Sequence, residues 1–357
     1  MSDSNSDFRH EPAEVDVRPQ EQLLIDALDA FSPGRVLCTS QGVAQLAAAA
    51  ARKFANATVY CHYLDLYHAE KARRYAGNDL ANLTLGCSSD FPPQSVDLAA
   101  LPLSAQGDAE LTREFLQEAH QRLKAGGVLM TSTDNPHDRW LHEEMRTLFA
   151  TVTRRESPQG TVYLARRDRP LKRVRNFRCE FVFRDGGRLI HAVSRPGVFS
   201  HREVDPGARQ LMAAMEIATG YRVLEMGCGS GTVSLAAAFR AEGVGIVAVD
   251  SHARAVECTA LGASRNGLGN ITVQHSACGP CCDRGSFDVV VANPPYYAGF
   301  RIAQFFLESG HAALRPGGRI FVVTKRPEWY AEHMPEWFND VAIEPSKDYW
   351  IAQATAS

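Results

Sequence analysis

Length, composition and charge predict a globular protein of two domains. The chain has 357 residues, of which 45% are hydrophobic and 22% are charged, and its formal net charge is -3. A domain takes about 150 residues, so this length suffices for two buried cores. The near-neutral balance excludes a polycation that coats nucleic acid, but it leaves room for a local basic patch.

The start of the chain and its cysteines indicate a cytoplasmic protein. Residues 1–20 are polar and acidic and lack the apolar stretch of a secretory signal, so a disordered tail is expected. No stretch approaches the about 18 consecutive apolar residues that span a bilayer. Nine cysteines, an odd number, favour free thiols in a reducing compartment. Cys278, Cys281 and Cys282 lack a second pair at ligand spacing, so no metal is expected.

The first half, residues 21–165, alternates short strands with amphipathic helices. This alternation predicts a doubly wound, mostly parallel α/β sheet. An Ala-rich helix follows the first strand and runs through Lys53, and residues 163–165 are expected to close the sheet. The predicted strands are 36–39, 58–62, 83–87, 96–101 and 128–132.

Residues 166–200 predict a basic linker with a hairpin. Residues 166–188 include nine basic and three acidic side chains. Strands over 177–184 and 188–193 flank Asp185-Gly186-Gly187, which is a typical hairpin turn. A run of charge by itself is most often a solvated face.

The second half, residues 201–357, predicts another α/β domain of the same kind. Its predicted strands are 222–226, 245–250, 271–275, 287–292 and 319–324, and the helix after the first of them covers 233–240. Arg35-Val36-Leu37, Ser95-Val96-Asp97-Leu98 and Leu123-Lys124-Ala125-Gly126-Gly127 recur in order as Arg222-Val223-Leu224, Ser286-Phe287-Asp288-Val289 and Leu314-Arg315-Pro316-Gly317-Gly318. Because the three segments recur in the same order, a duplicated domain is favoured over the strand–turn–helix pattern that any two α/β units share.

A glycine-rich turn follows the first strand of the second half. Gly227, Gly229 and Gly231 alternate with Cys228 and Ser230, which lets the backbone turn sharply and approach a ligand. Asp250 ends the next strand, where a carboxylate can accept hydrogen bonds from ribose hydroxyls. A dinucleotide-binding dehydrogenase would show a similar pattern, but its third glycine would fall at Thr232.

The fourth strand runs directly into Asn293-Pro294-Pro295-Tyr296. The prolines make this loop rigid, so the Asn293 side-chain carbonyl and a backbone carbonyl can serve as paired acceptors. Two such acceptors suit a planar exocyclic NH₂ group and favour positive charge on its nitrogen during attack. The Tyr296 ring can stack on the flat group that bears the amine. The alternative is a plain turn with a core tyrosine.

With these motifs, the chain resembles class I S-adenosylmethionine-dependent methyltransferases that methylate amines. Residues 196–200, Pro-Gly-Val-Phe-Ser, and the tandem halves make it similar to the small-subunit ribosomal RNA guanine-N2 methyltransferases. In that family the first domain is a degenerate copy, and the second binds S-adenosylmethionine. The resemblance therefore implies two tandem Rossmann-like methyltransferase domains.

The resemblance assigns roles to individual residues of the second half. It implies that Asn293, Pro294, Pro295 and Tyr296 hold the target amine. The cofactor-binding residues that it implies are Glu225, Gly227, Cys228, Gly229, Gly231, Asp250, Ser251 and Asn293. Where many relatives have an acidic residue for the adenine amine, this chain has Ser276-Ala277-Cys278. His252 and His275 are expected to be structural.

The implied reaction is N-methylation of a base in RNA, with guanine N2 of ribosomal RNA as the first expectation. Arg166, Arg167, Lys172, Arg173 and Arg175 are then expected to contact RNA phosphates. Adenine-N6 or protein-glutamine methylation, or a non-catalytic RNA-binding assembly factor, are the alternatives. The first half carries one glycine, Gly42, in its turn and no asparagine in its Leu101-Pro102-Leu103-Ser104 loop, so it is expected to be degenerate. We expect a monomer without a membrane segment.

Overall fold

The chain divides between Asn176 and Phe177 into two units. The structure is a computed structural model, and it describes residues 16–76, 79–281, 284–295 and 299–357. The division falls inside the segment predicted as a linker. Most of the predicted N-terminal tail lies outside the described residues, and the first helix begins at Pro19.

The first unit alternates strands and helices. Its helices are α1 (Pro19–Asp26), α2 (Gln45–Lys53), α3 (Leu66–Ala76), α4 (Ala109–Arg122) and α5 (Trp140–Leu148). Its strands are β1 (Arg35–Thr39), β2 (Thr58–Tyr63), β3 (Leu83–Cys87), β4 (Val96–Leu103), β5 (Leu123–Thr133), β6 (Val152–Ser157) and β7 (Gly160–Arg166).

The second unit begins with a hairpin of β8 (Cys179–Asp185) and β9 (Arg188–Ser194). Its helices are α6 (Pro206–Ala214), α7 (Thr232–Ala238), α8 (Ala253–Arg265), α9 (Arg301–Ala313) and α10 (Pro327–His333). Its further strands are β10 (Arg222–Met226), β11 (Gly245–Asp250), β12 (Ile271–His275), β13 (Phe287–Ala292), β14 (Leu314–Thr324), β15 (Asn339–Ser346) and β16 (Tyr349–Thr355).

The two large sheets have the same strand order. The first runs β3-β2-β1-β4-β5-β7-β6, and the second runs β12-β11-β10-β13-β14-β16-β15. The first five strands of each sheet are parallel, whereas the last two form an antiparallel pair. The predicted fold class, two tandem doubly wound domains, is confirmed.

The strand predictions fail mainly at one edge of each sheet. Residues 163–165 lie in β7, which is the last strand of the first unit in chain order, while β6, which was not predicted, lies beyond it at the edge of the sheet. The antiparallel pair β15 and β16 was not predicted. Strand β14 begins at Leu314 rather than at 319, because Leu314 already pairs with Phe287 ahead of a register shift. Gly317 and Gly318 therefore lie within the strand.

The same set of side-chain contacts occurs within each of the two units. Asp97 accepts a hydrogen bond from the backbone N–H of Arg35 at 2.8 Å and from the Lys124 ammonium at 2.6 Å. Asp288, at the matching position, accepts from the N–H of Arg222 at 2.7 Å and from the Arg315 guanidinium at 2.6 Å. The same bridge between the first, fourth and fifth strands supports duplication at the level of single atoms.

The central strands are buried on both faces. In β10, Val223 and Leu224 point to opposite sides of the sheet and join different hydrophobic clusters. In β1, Val36 and Leu37 do the same in the first unit. Helices on both sides of a parallel sheet require such continuous apolar strands. Polar residues with a ligand-binding role are consequently confined to the carboxyl ends of these strands.

Candidate active site

The glycine turn after β10 adopts a backbone conformation that side chains disfavour. Gly227, Gly229 and Gly231 have φ values of 75°, 54° and 76°. A Cβ on Gly231 would lie 2.7 Å from Thr259 Oγ1, whereas a Cβ on Gly229 would meet nothing within 4 Å. Gly231 therefore permits close packing of α7 against α8, and Gly229 leaves an open space at the strand end.

Glu225 lies beneath this turn with 4% of its surface exposed. One carboxylate oxygen accepts hydrogen bonds from the backbone N–H of Ser234, at 2.8 Å, and from the Ser234 hydroxyl. Burial raises the pKa of Glu225 to about 8, and the negative charge of Asp250 also raises it, while the bonds from Ser234 oppose the shift. Glu225 thus holds the start of α7 against the end of β10.

Asp250 joins the end of β11 to the glycine turn. Its Oδ2 accepts from the N–H of Gly229 at 2.9 Å, and its Oδ1 accepts from the N–H of His252 at 2.8 Å. These bonds fix the orientation of the Asp250 carboxylate at the end of β11. The next residue, Ser251, accepts a hydrogen bond on its carbonyl oxygen from His275 Nε2 at 2.8 Å. His275 has the structural contact that was expected.

Asn293 follows β13 directly, and its amide is held by a residue that sequence reasoning missed. Its Nδ2 donates to Asp205 Oδ2 at 2.9 Å. Asp205 caps α6 and accepts from the N–H of Ala208 at 2.8 Å. Since a carboxylate only accepts, the NH₂ end of Asn293 must face Asp205, which leaves the carbonyl end for another partner. Asp205 directly before Pro206 is the sequence signal of a helix start.

The rest of the predicted loop is only partly described. Pro294 is buried and Pro295 is half-buried. Tyr296, which was predicted to stack on the target, lies outside the described residues.

The segment after β12 uses its polar groups internally. Ser276 is buried, and its hydroxyl donates to the carbonyl of Gly279 at 2.6 Å. Cys278 and Cys281 are exposed thiols, and Cys282 lies outside the described residues. Within the described ranges, no three His, Cys, Asp or Glu side chains form a metal-binding group.

The matching turn of the first unit is filled by the chain itself. Glu21 of α1 is fully buried and accepts hydrogen bonds from the Ser40 hydroxyl at 2.6 Å and from the N–H groups of Gln41 and Leu46, each at 3.2 Å. A carboxylate therefore occupies the donors at the start of α2. The loop that matches Asn293 is part of β4 and carries no asparagine.

The basic residues predicted to contact RNA fall into two groups. Arg166 and Arg167 donate to backbone carbonyl oxygens of β5, and Arg175 pairs with a glutamate of α4 at 3.2 Å. Lys172 and Arg173 are exposed. Arg166 and Arg175 are exposed as well, but their guanidinium groups already have partners within the protein.

Comparisons with known proteins identify the family of this chain. The methyltransferase small domain family matches residues 190–353. The uncharacterised protein YbxB of Bacillus subtilis is 30% identical over 51% of this chain and 93% of its own length. The chain belongs to the methyltransferase small domain family.

Two further relatives of this methyltransferase chain are informative. The ribosomal RNA small subunit methyltransferase C of Chromohalobacter salexigens is 35% identical over 41% of this chain and 44% of its own length. The corresponding protein of Alcanivorax borkumensis is 32% identical over 43% of this chain and 48% of its own length. The chain thus matches less than half the length of these two relatives.

One solved structure resembles the methyltransferase chain over both units. It is the 16S rRNA N2 methyltransferase RsmC of T. thermophilus in complex with AdoMet and guanosine, with a TM-score of 0.80 and 23% identity. The match covers 95% of this chain and 92% of that one. It confirms the tandem fold. Among the described residues, no helix has both the length and the hydropathy to cross a membrane.

Proposed function

We propose that this protein transfers a methyl group from S-adenosylmethionine to an exocyclic amine of an RNA base, namely guanine N2 of small-subunit ribosomal RNA. The observation that carries the proposal is the Asn293 amide, whose NH₂ end is held by Asp205 at 2.9 Å. Its carbonyl end is then left as an acceptor at the carboxyl edge of the sheet. The names of the relatives, and the AdoMet and guanosine in the solved complex, support this choice of cofactor and target.

The residues around the glycine turn fit S-adenosylmethionine. The space next to Gly229, where an added Cβ would meet nothing within 4 Å, admits the cofactor close to the backbone. Gly227, Cys228, Gly229 and Gly231 would line the methionine and ribose portion. Asp250 and Ser251 would hold the ribose, and Glu225 supports the turn from below. When bound, the cofactor supplies a methyl group on a sulfonium for in-line substitution.

The chain's own contribution is positioning and electrostatics. The Asn293 carbonyl and a backbone carbonyl of its loop accept the two amine hydrogens and direct the nitrogen lone pair towards the methyl group. Both acceptors favour the positive charge that develops on nitrogen. Pro294 and Pro295 keep this geometry rigid. The surplus proton leaves to water after transfer, so no general base is required.

The target base must leave its stack to reach these acceptors. Enzymes that act on a base within folded RNA splay that base into a pocket. The basic residues Lys172 and Arg173 are expected to hold the flanking phosphates. We expect the protein to act as a monomer in the cytoplasm.

The direct test is methyl transfer to ribosomal RNA. Small subunits from a strain that lacks this protein are incubated with labelled S-adenosylmethionine, and the RNA is digested for nucleoside mass spectrometry. We expect label only in N2-methylguanosine. Label in N6-methyladenosine or in glutamine of a ribosomal protein, or no label at all, would contradict the proposal in favour of one of the alternatives.

Asn293→Ala is the inactive variant to be compared with the parent protein in this test. Loss of the acceptor should abolish turnover, while the affinity for S-adenosylmethionine, measured by calorimetry, should stay nearly unchanged because Asn293 is assigned to the amine. A loss of cofactor affinity of about tenfold, equivalent to about 1.4 kcal/mol, would show that Asn293 binds the cofactor instead.

A further inference from the structure

The Asn293 side chain has two chemically opposite ends of nearly equal shape. One end is a carbonyl that accepts hydrogen bonds, and the other is an NH₂ group that donates them. Only the carbonyl end can accept hydrogens from a substrate amine. A half-turn about the last side-chain bond would present the donor and repel the substrate. The site therefore needs a group that fixes the amide orientation.

Asp205 is placed to provide that fixation. Its Oδ2 lies 2.9 Å from Asn293 Nδ2, although the two residues are 88 positions apart in the chain. The same oxygen accepts from the N–H of Ala208 at 2.8 Å, at the N-terminus of α6. Both bonds reach the same oxygen, so the carboxylate acts as an acceptor towards Asn293 and towards the start of α6. An ionised acceptor can bond only the NH₂ end of Asn293.

Gly207 provides an independent observation. A Cβ at this position would lie 2.8 Å from Asp205 Oδ2, 3.1 Å from Tyr349 Cε1 and 3.5 Å from Asn293 Oδ1. Gly207 is not among the glycines with positive φ, so its backbone does not demand glycine. Any side chain here would press on Asp205 Oδ2 and on Tyr349, whereas its distance to Asn293 Oδ1 would be that of an ordinary van der Waals contact. The missing side chain keeps the space for the Asp205–Asn293 contact.

We propose that Asp205 is a positioning residue that orients the Asn293 carbonyl towards the substrate amine, and that Gly207 leaves room for this contact. The inference rests on the proposed function and adds a specificity determinant to it. A site with a freely turning amide would accept a hydrogen-bond donor and an acceptor about equally. With Asp205 in place, the site selects substrates that donate.

Three variants separate orientation from helix capping. Asp205→Ser keeps a capping oxygen for the start of α6 but is too short to reach Asn293. Asp205→Asn can keep one oxygen in the place of Oδ2, so it retains both hydrogen bonds with a neutral acceptor. Gly207→Ala favours the helix by propensity and places a Cβ against Asp205 Oδ2 and Tyr349.

The first measurement does not depend on any activity. Urea unfolding midpoints are compared for the full chain with Asp205→Ser, Asn293→Ala and both substitutions. Because the two side chains form a hydrogen bond with each other, Asp205→Ser should lower the unfolding midpoint less in the Asn293→Ala background than in the parent protein. Equal effects in both backgrounds would overturn the inference, whatever the enzyme methylates.

The second measurement is methyl transfer to small-subunit RNA. Asp205→Ser and Gly207→Ala should each lower kcat by about 10- to 100-fold, the range expected for losing a hydrogen bond to a charged group. The kcat of Asp205→Asn should stay within about fivefold of the parent value, because replacing a charged acceptor with a neutral one costs less than losing the hydrogen bond. The affinity for S-adenosylmethionine should not change.

The outcomes distinguish the two proposals. An unchanged kcat in Asp205→Ser, or an Asp205→Asn variant as impaired as Asp205→Ser, would overturn the role of Asp205 and leave the methyltransferase proposal intact. An inactive parent protein would overturn the proposed function, while the unfolding measurement would still decide whether Asp205 holds Asn293.

Discussion

The fold strongly changes the acid–base chemistry of Glu225. It is 4% exposed, and burial raises the pKa of its carboxyl from 4.5 to about 8. The opposing hydrogen bonds from Ser234 do not overcome this desolvation. At neutral pH the folded protein therefore holds Glu225 mostly protonated, whereas the unfolded chain holds it ionised.

This pKa shift predicts a pH-dependent stability. The folded state binds a proton that the unfolded state has lost between about pH 4.5 and pH 8, so the contribution of Glu225 to stability decreases as pH rises through that window. The slope is at most about 1.4 kcal/mol per pH unit. Urea unfolding of the wild type and of Glu225→Gln, compared at pH 5 and pH 8, measures it. If the difference in unfolding free energy between the two proteins were the same at pH 5 and pH 8, the raised pKa of Glu225 would be contradicted.

At the scale of elements, the turn between β10 and α7 divides its glycines into two roles. Gly231 faces Thr259, where a Cβ would come within 2.7 Å, and Gly229 faces open space. Both have positive φ, so both would carry backbone strain as alanine. The atoms around each glycine therefore determine its role: Gly231 permits close helix packing, and Gly229 leaves space for a ligand.

Alanine substitutions should separate these roles. Gly231→Ala should destabilise the fold by about 1–3 kcal/mol more than Gly229→Ala, because it adds overpacking to strain. Gly229→Ala should cost only the strain of about 1–2 kcal/mol but weaken S-adenosylmethionine binding by about tenfold or more. Denaturant unfolding and calorimetry measure the two effects. Gly220→Ala is the control, since Gly220 has φ 76° and nothing within 4 Å of an added Cβ.

The basic segment before the second unit also divides into two groups. Arg166 and Arg167 are bonded to carbonyl oxygens of β5, while Lys172 and Arg173 are exposed. Exposed cations can approach phosphates without breaking an existing hydrogen bond. We therefore expect the exposed pair to account for most of the salt dependence contributed by this segment.

Neutralising that pair should change how RNA binding responds to salt. Lys172→Gln with Arg173→Gln should lower the slope of log affinity against log salt by about 1.4–1.8, the release expected for two contacts. The control removes two other exposed cations of the first unit, with Arg52→Gln and Arg74→Gln, and should leave the slope nearly unchanged. Equal slopes in all three proteins would identify the segment as a solvated linker.

At the scale of the whole molecule, two sheets of the same strand order have different strand ends. In the second unit the turn leaves space beside Gly229. In the first unit the Glu21 carboxylate occupies the donors of the turn, with its closest contact at 2.6 Å to the Ser40 hydroxyl. A bound carboxylate from the same chain replaces any anionic or polar ligand there.

The full chain should accordingly bind one molecule of S-adenosylmethionine. Calorimetry should give a stoichiometry of one, and Gly229→Asp should remove binding altogether by placing a carboxylate in the open space. Saturable binding that persists in Gly229→Asp would locate a second site in the first unit. Circular dichroism of the variant verifies that both units remain folded.

The sequence alone determined the two α/β domains, the glycine turn, Asp250 and the Asn-Pro-Pro loop. These features follow from local patterns, because apolar runs specify buried parallel strands and glycines specify unusual backbone conformations. The strands β10 to β13 match their predicted bounds for the same reason. The outermost strands β6 and β15 escaped prediction, since their partly exposed residues give no continuous apolar run.

Only the tertiary structure decided which side chains meet. Asp205 reaches Asn293 across 88 residues, Glu21 fills the turn of the first unit, and Arg166 bonds a backbone carbonyl of β5. No local pattern encodes these contacts, because the direction of a side chain depends on elements packed against it from distant parts of the chain. The residue types at the site are thus a property of the sequence, whereas the orientation of the Asn293 amide is a property of the fold.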